Sequence, residues 1–183
     1  MTNELHTLWE RDGYLVVRQI FDQARTQRLQ TVCEGILAQW RAENPETGQP
    51  GGAPDATVMR HLNHPDYFRE HPGWRKEIME AIADPQVLAV ARTILDDEPL
   101  FRCTSLFFDP LEGGKDGNWH RDSQFGTPDD TKEQAILAKL SSAGDSIQMQ
   151  IALVPSDDVE YVPGSHLRWD LPAEYAIRKA DGG

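Results

Sequence analysis

Two cysteines, Cys33 and Cys103, are all the chain has. That is too few for a disulfide framework, and neither sits in a metal-ligand spacing. Cys33 falls on the apolar side of a helix-period stretch and Cys103 in a β-type run, so both are expected as small buried hydrophobes. Long apolar runs are also missing, which excludes a transmembrane helix. Met1-Thr2-Asn3-Glu4-Leu5-His6 has neither the basic start nor the apolar stretch of a secretory signal, so the expected compartment is the cytoplasm. Positive charge is scarce, with 18 Lys and Arg against 30 Asp and Glu and a formal net charge of -12. Such a surface repels polyanions, which argues against nucleic acid and anionic membranes and leaves a small-molecule substrate as the expected partner. Oligomeric state is not legible.

What is present suits one soluble domain over residues 1–183, because 183 residues can bury a substantial core but are too few for two ordinary domains. Leu8 to Asp12 reads as a short helix closed by Gly13, followed by a β-branched strand at Tyr14-Leu15-Val16-Val17. Asp22 can cap the next element, where Leu29, Val32, Cys33, Ile36, Leu37 and Trp40 recur at spacings of three and four. That pattern predicts a long amphipathic helix, read as packing on a sheet. Asn44 to Ala56 holds too many prolines and glycines for any regular element and reads as a loop or lid. His61, His64 and His71 lack a Cys or acidic partner at ligand spacing and read as surface histidines. Trp74, Ile78 and Ile82 mark a third helix. Val87, Leu88, Ala91, Ile94 and Leu95 mark a fourth, with Asp84 as N-cap and Pro85 in its first turn.

From Leu100 onward the pattern turns to strands. Leu100 to Phe108 is a β-type run, and Ser146 to Val154 alternates apolar and polar residues before becoming continuously apolar. Helices first and strands second indicate an α+β fold, with a helical part over about 1–98 and a strand part from about 99. No internal repeat is found. Between the runs stands Trp119-His120-Arg121-Asp122. Side chains alternate along an extended strand, so His120 and Asp122 share a face and one segment offers an imidazole nitrogen beside a carboxylate oxygen. Two histidines and one carboxylate on one face suit Fe(II) with open positions for substrate and dioxygen, and two of those three donors are visible here. Downstream lies Val162-Pro163-Gly164-Ser165-His166.

Three segments, Asp12-Gly13-Tyr14-Leu15-Val16-Val17, Trp119-His120-Arg121-Asp122 and Val162-Pro163-Gly164-Ser165-His166, occur in this order. Together they resemble the phytanoyl-CoA dioxygenase family of Fe(II)- and 2-oxoglutarate-dependent oxygenases. The resemblance implies a double-stranded β-helix, or jelly roll, flanked by N-terminal helices. It also implies Fe(II), 2-oxoglutarate as cosubstrate and O2, used to hydroxylate a C–H bond of a small molecule. His120 and Asp122 match the family's first histidine and its carboxylate ligand. His166 matches a turn histidine that helps shape the pocket, and Thr104 could face 2-oxoglutarate.

Three departures qualify that expectation. Arg121 stands where many members carry Gln, and a guanidinium, which only donates, favours an anionic neighbour or a substrate-side role. The family's Glu-Asn-Gly turn is replaced by Ser156 to Tyr161. The distal histidine ligand and the arginine that clamps 2-oxoglutarate lie further downstream in the family, so the last jelly-roll strands and the third ligand are expected to be missing. On that reading the chain is a fragment of a longer enzyme, with a natural short form as the alternative and His166 as the one substitute third ligand. The competing reading of function is a non-catalytic jelly-roll module that binds a small polar ligand.

Overall fold

Ile36 is fully buried, and the helix that carries it organises the N-terminal half. The computed structural model describes residues 2–44, 53–113, 119–126, 129–143, 146–157 and 159–180. Helix α1 (Thr2–Asp12) leads to α2 (Gln23–Glu43), which starts where the Asp22 carboxylate accepts from the Arg25 backbone N–H. The apolar stripe of α2 buries Leu29, Val32, Cys33 and Ile36, as the period of three and four requires. Burial pushes the Cys33 thiol up to about 11, so it behaves as a small hydrophobe. Gly35 gives the close approach here, because a Cβ on it would meet the Trp74 ring at 2.6 Å.

Two short helices complete this half. α3 (Pro72–Ile82) and α4 (Pro85–Leu95) each begin with proline, whose missing N–H costs nothing at that position. Asp84 caps α4 by accepting from Gln86 N at 2.8 Å, and the same carboxylate pairs with Arg25 of α2. That side chain therefore ties two helices together. The core joins Val32, Cys33 and Ile36 to Met59, Leu62, Phe68 and Ile78. α1 lies against α4.

The sheet is much smaller than expected. Among the described residues it consists of β1 (Val58–Met59) and β2 (Leu106–Phe107), antiparallel with Val58 opposite Phe107 and Met59 opposite Leu106. Thus α2 packs on helices and a two-residue ladder, not on a broad sheet. The predicted strand at Tyr14 to Val17 is irregular backbone, and the run from Ser146 to Val154 is likewise irregular, with a bend at its last two residues and no ladder. A strand exists only by pairing, and the period-two pattern that suggests one cannot supply the partner. Met149, Ile151 and Val154 are exposed as a result, while Leu153 packs on the core. Cys103, expected to be buried, is also exposed. The glycine- and proline-rich stretch lies largely outside the described residues, at 45–52, as does part of the turn before His120, at 114–118.

Two helices stand in the part read as strand-rich, at segments for which no element was predicted. α5 (Asp130–Ala143) starts at Asp129, whose carboxylate accepts from Thr131 N and Lys132 N. α6 (Pro172–Ala180) has proline first, Glu174 in its first turn and Arg178 and Lys179 in its last, the charge order that the helix dipole favours. Among the described residues every buried hydrophobic lies at or before Ile94, whereas the buried residues after it are Glu133 and Arg178. Among the described residues the C-terminal half is therefore centred on ions.

Candidate metal centre

His120 and Asp122 are brought together. His120 Nε2 stands 3.5 Å from Asp122 Oδ1, with the two side chains 42% and 60% exposed. A divalent ion bonds imidazole nitrogen and carboxylate oxygen at about 2.1 Å, so a 3.5 Å gap lies within the bite of one ion. The donor set is one that Fe(II) accepts. The pair does not lie on the expected strand: residues 119–121 are irregular, and Asp122 opens a 3-10 turn, Asp122–Gly126, that folds Phe125 back beside His120 with ring centroids 5.2 Å apart. The other carboxylate oxygen, Oδ2, accepts from the side-chain amide of Gln148, in the irregular run after α5. That bond fixes the carboxylate and leaves Oδ1 facing the imidazole, the role that outer-shell partners play around metal ligands.

Arg121, between the two, points the other way. Its Nε donates to Asp170 Oδ1 at 2.6 Å, one terminal nitrogen to the Ser165 carbonyl at 2.8 Å and the other to the Arg168 carbonyl at 3.2 Å. The anionic neighbour that an arginine here favours is Asp170, and the guanidinium is spent inside the protein rather than offered to substrate. Asp170 in turn accepts from Arg178 Nε at 2.6 Å, and Arg178 reaches Glu133 at 3.0 Å. Arg178 is 3% exposed and Glu133 1%. Burial works against the Arg178 charge, and its bonds to Asp170 and Glu133 more than offset that, so its guanidinium is held ionised.

His166 is engaged elsewhere. It belongs to a turn at Ser165–Leu167, and its Nε2 lies 3.1 Å from the Glu10 carbonyl of α1. A carbonyl only accepts, so Nε2 carries the proton and is not offered as a donor to metal. Nδ1 faces Gly13, where a Cβ would stand 2.2 Å away. Among the described residues no group of three His, Cys, Asp or Glu could hold an ion. The pair thus fits two positions of a ligand shell, and the described residues do not bring His166 in as the third. Thr104 lies by the small sheet, its carbonyl accepting from Leu62 N at 2.7 Å. His61, His64 and His71 are exposed; His64 caps a short turn by accepting from Asp66 N, and His71 stacks on Trp74.

The three segments that carry the resemblance converge although they are widely separated in sequence. Gly164 N donates to Asp12 O at 2.9 Å, Tyr14 stacks on Tyr161 with ring centroids 4.8 Å apart, and Arg121 bonds the Ser165 carbonyl. The sequence model of the phytanoyl-CoA dioxygenase family matches residues 9–181. The chain belongs to the phytanoyl-CoA dioxygenase family. No curated protein and no solved structure matches it. Members of that family are Fe(II)- and 2-oxoglutarate-dependent oxygenases, generally with a jelly roll; the described residues of this chain are helix-rich with a two-stranded sheet and do not form the expected jelly roll. Among the described residues no helix is long and apolar enough to cross a membrane.

Sequence reasoning missed Gln124, Glu133, Gln148, Asp170 and Arg178. Two signals were present: the Asp129 cap ahead of α5, and the order of Pro172, Glu174 and Arg178 along α6.

Proposed function

We propose that the chain is an Fe(II)- and 2-oxoglutarate-dependent dioxygenase that hydroxylates a small-molecule substrate, with His120 and Asp122 as two metal ligands. The observation that carries this reading is the 3.5 Å approach of His120 Nε2 to Asp122 Oδ1, in a chain whose family uses that ligand pair. Iron bound with 2-oxoglutarate and dioxygen supplies the oxidising power needed to hydroxylate a C–H bond. The protein's own residues hold and orient. Gln148 fixes the far oxygen of Asp122, Arg121 anchors the segment that bears both ligands, and Phe125 shields one side of the imidazole. A net charge of -12 gives no support to an acyl-CoA substrate, which would call for a basic approach, and favours a small polar metabolite.

The test is Fe(II) binding and 2-oxoglutarate-dependent oxygen uptake by the intact chain. His120→Ala and Asp122→Ala are expected each to abolish Fe(II) binding, while His61→Ala leaves it unchanged. Equal iron binding by all three variants would sink the assignment. One observation favours a second reading, a non-catalytic module for a small polar ligand: the described residues bring only two donors together. Ligand binding without oxygen uptake by the iron-loaded chain would decide for it.

A further inference from the structure

We propose that Arg178 is a positioning residue that holds His120 and Asp122 in ligating geometry, acting through Gln124, Asp170 and Arg121. The proposal rests on the reading of that pair as a metal site.

The geometry runs from α6 to the ligand segment by two routes. In the first, Arg178 Nε donates to Asp170 Oδ2 at 2.6 Å, and the other oxygen of the same carboxylate accepts from Arg121 Nε at 2.6 Å. In the second, a terminal nitrogen of Arg178 donates at 2.8 Å to Gln124 Oε1, which also accepts from the Arg121 backbone N–H at 3.2 Å. The residue between the two ligands is thus held at its side chain and at its backbone, and both holds end on one guanidinium. On the other flank of Asp122, the Ser123 hydroxyl donates to Glu133 at 3.2 Å, and Glu133 is itself bonded to Arg178.

Burial gives these links their leverage. The side chains of Arg178, Asp170 and Glu133 are 4%, 4% and 1% exposed, and Trp169 covers the guanidinium at 5.2 Å. Three cations, Arg121, Arg178 and Lys179, face three anions, Asp170, Glu133 and Asp130, so the charges of the cluster balance. Ion pairs out of water are rigid because any displacement leaves a charge uncompensated. The two ligands are exposed, with Phe125 beside the imidazole and Gln148 on the carboxylate, and the backbone that carries them is held from beneath by this buried network. A lysine could not serve at 178, since the planar fork presents Nε and a terminal nitrogen to different partners at once and an ammonium is a single point.

Co(II) alone is the probe, titrated into the intact chain and followed by visible absorption, with thermal midpoints measured in parallel. Truncating one partner of a buried ion pair is strongly destabilising, so the discriminating variants are at half-buried Gln124. Gln124→Leu removes the shared acceptor and is expected to weaken Co(II) binding by about 10- to 100-fold, the effect usual for outer-shell partners of a metal site. Gln124→Glu keeps the acceptor oxygen and is expected to recover the affinity, and Arg178→Lys is expected to fall with Gln124→Leu. A purely structural role would lower the thermal midpoint and leave Co(II) affinity, measured well below it, where it was. If Gln124→Leu and Arg178→Lys bind Co(II) like the parent while His120→Ala does not, the positioning role is overturned and the metal site stands. Failure of the parent chain to bind Co(II) overturns both.

Discussion

Gly13 shows how a single residue couples distant parts of the chain. Its φ is +79°, a conformation L side chains rarely adopt, and it also faces the His166 ring that is bonded to the end of α1. Gly13→Ala therefore meets both a backbone cost and a clash. We expect a loss of more than about 1 kcal/mol in urea denaturation. Introducing His166→Ala as well should recover the steric part and leave the conformational part. Strict additivity of the two substitutions would refute the contact. The sequence reading took Gly13 as a helix stop, which it is, since its N–H donates to the Trp9 carbonyl at 2.8 Å. Its second duty, making room for an imidazole 153 positions away, has no local signature.

Elements whose buried face is apolar were legible, and those whose buried face is polar were not. α2, α3 and α4 carry their apolar residues at helical spacing, and their caps Asp22 and Asp84 hold as expected. For α2, Ile36→Ala is expected to cost about 2–5 kcal/mol and Ile36→Val about 1 kcal/mol, because the site is closed on all sides. Val154→Ala, on an exposed residue, should stay within about 0.5 kcal/mol. Matching losses at both sites in chemical denaturation would show that the core is misplaced. α6 escaped notice because the residue it buries is Arg178 while Ile177 faces solvent, the reverse of what an apolar stripe announces. The strands expected at Tyr14 to Val17 and Ser146 to Val154 failed for a different reason, while the run from Leu100 to Phe108 yielded only β2 near its end. Alternation says which face is apolar, but a ladder needs a second segment at the right register, and that is a long-range property.

At the scale of the whole molecule, carboxylates held by cations set the response to acid. Glu174 accepts from Arg168 through two bonds, at 2.6 and 2.7 Å, and from Leu171 N at 2.8 Å. The Arg168 bonds first, and the backbone bond next, hold its carboxyl down from 4.5 to about 2. Asp130, which accepts from Tyr175 and Lys179, and Asp84 are lowered in the same sense. A carboxylate whose folded pKa lies below its unfolded value stabilises the fold above the unfolded value, and that contribution is lost as the pH falls through the folded one. Thermal midpoints should accordingly drop as pH goes from about 4.5 to about 2, and Glu174→Gln should flatten part of that fall. An unchanged acid limb in the variant would remove Glu174 from the account.

Local pattern by itself determined the N-terminal helices with their caps, the placing of a histidine and a carboxylate one residue apart, and the three segments by which the family is known. Those are short-range facts, written in spacings of two to four residues. Only the tertiary structure decided that the three segments meet, that Arg121 turns inward to Asp170, that His166 is spent on α1, and that the irregular run after α5 supplies Gln148 to Asp122. Each of those depends on which charge or carbonyl arrives opposite which, and burial makes that choice after the chain has closed on itself.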